Sequence, residues 1–461
     1  MYDLYSANTI AAISTPEAEG GIAVIRVSGE GAIQTAAAVF RSHKGKDVLS
    51  AKTHTVMYGA AYDGDTRIDD CLLTIFRAPN SYTGEDIAEL SVHGGVYSAR
   101  RVLSVLFNSG ATPANAGEFT RRAVLNGKMT LPQAEAVLDI IKADNEKALL
   151  FANERKNGAV AKIIDGVSEK LLSVSAQLTA INDFAENGGE DSEDSSVISD
   201  ILPTLVQARK ELKKLLSDRW FFDVVTNGYS VAILGKPNVG KSAIMNLLCG
   251  TEKSIVTDIA GTTRDIVEGR IEIDGYAVNL FDTAGLRETS DPIERIGVER
   301  MREKVRHADF VIVLHDHTRP FDDDDTAIKV LVNEHNKQAA YFENKADLPN
   351  GTGQDENACE PRISAYDPTS RDVIINRLRR MITQTRQNPE NAYLSGERQL
   401  SAAKKASTAL SDVITQAEGN APLDIISALV SETLSALYEL TGENVSENTL
   451  DAVFSKFCIG K

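Results

Sequence analysis

The stretch Gly235-Lys236-Pro237-Asn238-Val239-Gly240-Lys241-Ser242 has the residue types and spacing for phosphate chemistry. Its glycines let the backbone curl so that successive N–H groups face inward as an anion nest. The positive end of a following helix points at the same place. Lys241 can reach β- and γ-phosphates, and the Ser242 hydroxyl can ligate Mg²⁺. Asn238, Val239, Gly240 and Ala243 line the same nest. The competing reading is a chance glycine-rich turn. Context decides against it: Tyr229 to Leu234 reads as a buried strand and Ala243 to Leu248 as a helix, which is the placement this chemistry requires.

Further stretches follow in order. Asp282-Thr283-Ala284-Gly285 ends a strand-like run, Tyr276 to Phe281, where a carboxylate can hold Mg²⁺ through water and a glycine N–H can meet a γ-phosphate. Asn344-Lys345-Ala346-Asp347 follows another run, Ala339 to Glu343. An Asp accepting two N–H bonds, from a purine's N1 and 2-amino group, selects guanine, because adenine lacks that donor pattern. Ser364-Ala365, with Tyr366 beside them, supplies a further backbone contact to the base. Thr257-Asp258-Ile259-Ala260-Gly261-Thr262-Thr263 lies where a mobile segment can sense the γ-phosphate. Leu286 stands where many GTPases place a water-orienting Gln; an apolar side chain cannot polarise water, so hydrolysis needs another device, such as a cation at the phosphates. Each tetrapeptide alone is common. In this order they imply a GTP hydrolase.

These loops need a scaffold, and 461 residues allow two or three domains. Hydrophobic content of 42% and charged content of 25% are ordinary globular values. A formal charge of −17 argues against gripping nucleic acid over the whole surface, so any RNA contact must use a local basic patch or a partner's charge. Cys71, Cys249, Cys359 and Cys458 form no C-x-x-C and have no His at zinc spacing, which suits free thiols in a reducing compartment. There is no basic-then-apolar leader and no membrane-length apolar run, so the expectation is a soluble, cytoplasmic protein.

The expected fold is multidomain α/β plus all-α: residues 1–118 as an α/β domain, 119–222 helical, 223–382 as a Ras-like P-loop domain, and 383–461 helical again. Gly21 to Val27, Asp70 to Phe76 and Ile87 to His93 read as strands, and Ala32 to Phe40 and Tyr97 to Phe107 as helices. Leu131 to Leu150 reads as one amphipathic stripe through Ala134, Val137, Leu138, Ile141 and Ala148. Helical patterns continue through Ala159 to Ala185 and Ile201 to Phe222, with an acidic solvated loop, Glu186 to Asp194, between them. Asp274-Gly275 suits a type I′ turn joining Ile266 to Ile273 with Tyr276 to Phe281. Asp322 to Asp325 reads as a surface acidic run, and His315-Asp316-His317 as a solvated loop rather than a metal site. His93, followed by Gly94-Gly95, is either a ligand or base, or a loop residue satisfied by backbone. Neither helical half has an obvious complement for its apolar face. That implies one bundle interrupted by the nucleotide domain.

Asp258 to Asp265, Asp282 to Glu288, Ala78-Pro-Asn-Ser-Tyr-Thr-Gly-Glu-Asp86, His93-Gly-Gly95, Gly117-Glu-Phe-Thr-Arg-Arg-Ala123, Leu131 to Ala136 and Phe457-Cys458-Ile459-Gly460-Lys461 cover nearly the whole chain. Together with the phosphate loop they resemble the MnmE (TrmE) family of tRNA wobble-uridine modification GTPases. The resemblance implies an N-terminal folate-binding domain that dimerises into a homodimer, a helical domain and an inserted G domain. It also implies a heterotetramer with an FAD-dependent partner subunit and tRNA as substrate. A tetrahydrofolate derivative (5-formyl- or methylene-tetrahydrofolate) and glycine or ammonia would serve to build an aminomethyl group, with GTP hydrolysis activated by K⁺. Matching positions are Asn238, Thr257, Ile259 and Thr262 for K⁺; Ser242 and Thr263 for Mg²⁺; Glu294 as the water-positioning glutamate; Arg26, Glu89, Lys128 and Lys461 for folate; and Cys458 for the modification chemistry. One departure is Ser14 to Gly21, which carries Glu17 and Glu19 where the family usually shows a Pro-Gly-Arg-type turn.

Other readings leave part of the chain unexplained. A regulatory or ribosome-assembly GTPase uses residues 235–365 but not the N-terminal hundred, and favours a basic RNA-binding domain that this acidic chain lacks. A folate-dependent aminomethyltransferase explains the N-terminus but not the nucleotide loops. Read as a prenylation box, Cys458 to Lys461 matches poorly at its last two positions.

Overall fold

The computed structural model describes residues 8–186, 194–217, 219–250, 269–282, 302–349, 360–385 and 394–461. The chain forms two compact units: Met1–Ile141 with Asn153–Leu216 and Leu394–Lys461, and Lys142–Ala152 with Ser217–Tyr393.

The first unit begins with β1 (Ile10–Ile13), β2 (Ile22–Ser28), α1 (Ala32–Val39), β3 (Phe40–Ser42), β4 (Thr55–Asp63), β5 (Thr66–Phe76), β6 (Ile87–His93), α2 (Val96–Asn108), β7 (Thr112–Pro113), α3 (Glu118–Leu125) and α4 (Leu131–Lys142). Among the described residues its strands form one sheet in the order β3-β4-β5-β6-β2-β1-β7. It is antiparallel except where β1 meets β7. Alternation sends Ile25, Val27, Leu73, Ile75, Ala88 and Leu90 to one face, where α1 and α2 cover them with Ile33, Ala36, Val102 and Leu106. The other face carries Val56, Thr74, Glu89 and Arg26 in one cross-strand row, and Tyr58, Leu72, Ser91 and Val24 in the next.

Helices α5 (Glu146–Lys156), α6 (Ala159–Glu186) and α7 (Asp194–Ser217) follow. The stripe expected over Leu131 to Leu150 is broken between α4 and α5. Asn145 is buried there; its Oδ1 accepts from the Ala148 N–H at 2.8 Å and its Nδ2 donates to the Val225 carbonyl at 3.1 Å. The apolar period survives the break but serves two cores: Ala134 packs with Leu131, Leu450 and Phe454, whereas Ala148 joins Phe151, Phe221 and Tyr229.

The second unit continues with α8 (Arg219–Asn227), β8 (Tyr229–Leu234), α9 (Lys241–Cys249), β9 (Gly269–Ile273), β10 (Tyr276–Asp282), β11 (Phe310–Asp316), α10 (Asp323–Glu334), β12 (Gln338–Asn344) and α11 (Thr369–Thr385). The described strands order as β12-β11-β8-β10-β9, parallel apart from β9. Asp274 and Gly275 both adopt positive φ, 52° and 81°, as the expected hairpin turn demands. Two expectations fail here. β11 runs on past Leu314, pairing Asp316 with Asn344, so His315 and Asp316 are strand residues, and His317 is 1% exposed rather than solvated. The acidic run is no free surface patch either: the Asp322 side chain caps α10 through the Asp324 and Asp325 N–H groups, and Asp325 is buried.

The chain then returns to the first unit with α12 (Gly396–Glu418), α13 (Leu423–Thr441) and α14 (Glu447–Phe454). α13 packs on both α6 and α12. Ile164, Val167, Leu171, Val174 and Leu178 of α6 are buried at helical spacing, as are Ile426, Val430, Leu434 and Leu437 of α13. Segments far apart in the chain thus complete one helical layer.

Candidate functional site

The phosphate loop leaves β8 and enters α9 at Lys241. Gly240 adopts φ +102°, and a Cβ there would lie 2.4 Å from Asn344 Nδ2; only glycine admits that approach. Asn238 is also left-handed, at φ 64°. Lys241 is buried, and its Nζ donates to the carbonyls of Gly235 at 2.9 Å and Lys236 at 3.1 Å, holding the loop closed around it. Burial pulls its ammonium below the usual range, opposed by the Asp282 carboxylate.

Asp282 stands at the end of β10, beside β8, and Ser242 Oγ donates to its Oδ2 at 2.9 Å. The two residues read as metal-associated are therefore adjacent. Asp282 Oδ1 is buried and has no hydrogen-bond partner among the described residues, which fits a carboxylate that would hold a hydrated cation.

The base loop begins at the end of β12. Asn344 is buried, and its Nδ2 donates to Val239 O at 2.7 Å, clamping the base loop to the phosphate loop. Lys345 adopts φ 68° and its Nζ donates to Asp316 Oδ2 at 2.7 Å. Ala346 N donates to Ile363 O at 3.0 Å. Asp347 Oδ1 accepts from Ser364 Oγ at 2.5 Å, and Ser364 Oγ in turn accepts from the Tyr366 N–H at 3.1 Å. Ala365 packs on the core while Tyr366 is 86% exposed. Ala243 lies in the first turn of α9. Thr257 to Thr263, Thr283, Ala284, Gly285, Leu286 and Glu294 lie outside the described residues, as do Glu190 and its neighbours in the acidic stretch and Cys359.

The N-terminal candidates converge through two aromatic rings, Tyr82 and Phe119, whose motifs the sequence marks without giving either ring a role. Arg26 and Glu89 face each other across β2 and β6, with Arg26 Nε donating to Glu89 Oε1 at 2.8 Å. The Arg26 guanidinium lies 5.3 Å from the Tyr82 ring and 5.6 Å from the Phe119 ring, contacts worth roughly 1 kcal/mol each. Tyr82 Oη is 3.0 Å from Thr120 Oγ1. Lys128 Nζ donates to Pro79 O at 2.8 Å, in the same 78–86 loop. The C-terminal tail completes the group: Phe119 N donates to Lys461 O at 3.2 Å and Gly117 N to Cys458 O at 3.4 Å. Gly460, at φ +93°, lies so close to β1 that a Cβ would sit 2.3 Å from Ile13 O. Cys458 is exposed.

Beneath this group Arg122, 4% exposed, binds Glu118 Oε1 at 3.0 Å and Glu85 Oε2 at 3.2 Å, while Ser28 Oγ donates to Glu85 Oε2 at 2.8 Å. This explains why acids and an arginine stand within Ala78–Asp86 and Gly117–Ala123. His93 is anchored by a carboxylate: its Nδ1 is 2.6 Å from Asp69 Oδ1, and its N–H donates to Asp69 Oδ2. The Asp69 carboxylate raises its pKa. Among the described residues no group of His, Cys, Asp and Glu is placed to hold a metal ion, and no helix is long and apolar enough to cross a membrane. Cys71, Cys249 and Cys458 are free, and burial pushes the Cys71 thiol up to about 12.

A parallel sheet with a glycine-cradled phosphate loop on one strand and Asn344–Asp347 on another defines a P-loop nucleotide hydrolase, here joined to an α/β domain and a helical layer. The family described as GTP-binding protein TrmE N-terminus matches residues 9–128, and the MnmE helical domain matches residues 131–458. The chain belongs to the MnmE family of tRNA modification GTPases. The tRNA modification GTPase MnmE of Bacillus cytotoxicus is 35% identical, covering 98% of this chain and 99% of its own length. That of Pediococcus pentosaceus is 35% identical over 98% of each chain. The G domain of the T. maritima FeoB iron transporter aligns with 34% of this chain and 97% of its own, at 25% identity and a TM-score of 0.25, too low to add to the family match.

Proposed function

We propose that this GTPase is activated by K⁺ and, with an FAD-dependent partner subunit, adds an aminomethyl or carboxymethylaminomethyl group at carbon five of the tRNA wobble uridine. The observation that carries the nucleotide half is the pair of bonds joining distant motifs, Ser242 to Asp282 and Asn344 to Val239. They hold phosphate, metal and base recognition in one rigid frame. Asn344–Asp347 and Ser364–Tyr366 read guanine, and Gly235–Ala243 holds the phosphates. Ser242 and Thr263 would hold Mg²⁺, and Asn238, Thr257, Ile259 and Thr262 would hold K⁺. The two cations supply positive charge against the charge that builds on the phosphates during hydrolysis. Glu294 orients the attacking water in place of the Gln that Leu286 displaces.

In the first unit Arg26, Glu89, Lys128 and Lys461 bind a tetrahydrofolate derivative, which supplies the one-carbon group. The support is their linkage through Tyr82, Phe119 and the 78–86 loop: a cation, a carboxylate and two rings suit a flat heterocycle bearing a charged tail. Cys458 takes part in the modification; its exposure on the tail that meets Phe119 supports that reading. Residues 1–118 serve as the folate and dimerisation domain, 119–222 with 383–461 as the helical domain, and 223–382 as the G domain. Exposed Val56, Tyr58 and Leu72 on the open sheet face favour pairing with a second copy as a homodimer.

The test has two arms. GTP turnover is measured in KCl and in NaCl, and wobble-uridine nucleosides are read by mass spectrometry in cells lacking the modification and supplied with this chain. Faster turnover in KCl and restored nucleoside are expected. Equal rates would remove the K⁺ assignment, and absent nucleoside the modification. Glu294→Ala is expected to abolish hydrolysis and spare GTP binding.

A further inference from the structure

The tripeptide His315-Asp316-His317 at the end of β11 takes no part in the function derived above, yet each of its side chains reaches a different part of the nucleotide unit. His315 Nδ1 lies 3.3 Å from Asp325 Oδ1, and Asp325 is in turn 2.5 Å from Lys236 Nζ in the phosphate loop. His317 Nδ1 lies 3.5 Å from Glu343 Oε2, which accepts from Arg362 Nε at 3.0 Å, just before Ser364. Between them Asp316, 5% exposed, binds Lys345.

Resting on the reading of Asn344–Asp347 as the guanine reader, we propose that Asp316 is a positioning residue for guanine recognition, acting through Lys345. Both oxygens of its carboxylate are engaged. Oδ1 accepts from the Thr318 N–H at 3.0 Å and from Thr318 Oγ1 at 2.7 Å, which aims Oδ2 at Lys345 Nζ. Lys345 needs that hold, because a non-glycine residue at φ 68° sits in a sparsely populated region and keeps it only when its surroundings over-determine it. The neighbouring backbone is fixed to match: His317 N donates to Asn344 O at 3.0 Å, and β11 and β12 pair in register up to Asp316 and Asn344. The side chain and the backbone of the base loop are thus held from the same tripeptide. Asp347, two residues on, inherits the position.

The ion pair is largely enclosed, with side-chain exposures of 7% for Asp316 and 28% for Lys345. Removing the acceptor leaves a cation facing a buried, unanswered gap, which is more damaging than losing a surface pair.

The test is a double-mutant cycle on the full chain, read as the dissociation rate and affinity of fluorescent GDP. Asp316→Asn and Lys345→Met are each expected to weaken GDP about tenfold or more, the scale of a charge-assisted bond. The double variant is expected to be no weaker than Lys345→Met alone, a non-additivity that general destabilisation does not produce. If Asp316→Asn fails to fold, Thr318→Val keeps the ion pair and the backbone N–H bond but removes the hydroxyl bond that helps aim the carboxylate; its smaller loss must also vanish in the Lys345→Met background. Unchanged GDP release in Asp316→Asn, or losses that multiply in the double variant, would overturn the proposal. Asp347→Asn tests the underlying reading separately. It is expected to exchange the preference for GDP over XDP, and if it does not, the guanine assignment fails whatever the cycle gives.

Discussion

In the second unit Gly235–Ser242, Asp282 and Asn344–Asp347 lie at the ends of β8, β10 and β12, parallel strands of one sheet. A parallel sheet delivers all its carboxyl ends to one edge, so motifs far apart in sequence meet without further instruction. In the first unit Arg26 and Glu89 meet only because β2 and β6 are antiparallel in one register, and Lys461 only because the tail returns to α3 and β1. The nucleotide site is thus written as local motifs on a topology that assembles them, and the N-terminal group as single residues that long-range register must assemble. Perturbing one backbone position should therefore silence each site independently.

The largest expected effect is at Gly240. Gly240→Ala forces a Cβ onto Asn344 Nδ2 at 2.4 Å in a left-handed conformation, breaking the clamp between the two nucleotide loops. GTP affinity should fall by about a hundredfold or more, the scale of a steric clash combined with backbone strain. Binding of 5-formyl-tetrahydrofolate, measured by the same titration calorimetry, should be unchanged. Loss of both would mean the two sites are not separable.

Gly460→Ala is the converse experiment. With its Cβ 2.3 Å from Ile13 O, the tail must lift from β1, carrying Lys461 away from Phe119 and Cys458 from Gly117. We expect about a tenfold loss of folate binding, on the order of 1–3 kcal/mol of strain, with GTP affinity intact. Arg26→Lys is milder. It keeps the charge but gives up the planar contact with Tyr82 and Phe119 and the Nε bond to Glu89, so chemical denaturation should register a loss of about 1 kcal/mol.

The smallest effect separates the second unit by pH. Burial opposes ionisation of Asp325, but His315 and Lys236 overcome it and hold the carboxyl at about 2. That lowered value contributes stability above the ordinary carboxylate range near pH 4 and loses it as the pH falls from about 4 toward 2. His315 has the opposite sign. The adjacent Asp325 carboxylate raises its pKa against burial, so its contribution is present below the ordinary histidine value and is lost as the pH climbs through the raised one. His315→Gln should flatten that alkaline limb in urea titrations followed by Trp220, the chain's single tryptophan, which packs 6.2 Å from Tyr229 in that unit. An unaltered profile would assign the limb elsewhere.

Much of the architecture was legible from short-range pattern. Apolar alternation located β2 and β6, helical spacing located α2 and α6, and Asp274-Gly275 marked its hairpin. The capping role of Asp322 and Asp325 is also legible, since an acid followed three residues later by another before an apolar period is a helix start rather than a free charged surface. The break at Asn145 was not readable, because a stripe of constant period carries no mark of which core it serves.

The sequence by itself carried the chemistry proposed for each loop: glycine where φ must be positive, lysine and serine suited to phosphate and metal, and an Asp two residues after Lys345 suited to a purine. These are properties of neighbouring atoms. Only the tertiary structure decided that Asp316 binds Lys345, that Asn344 closes on Val239, that Tyr82 and Phe119 both lie against Arg26, and that the tail lies on β1. Each of those depends on strand register and on which buried group a side chain meets. Such information is spread over residues far apart and becomes physical only when the chain has folded.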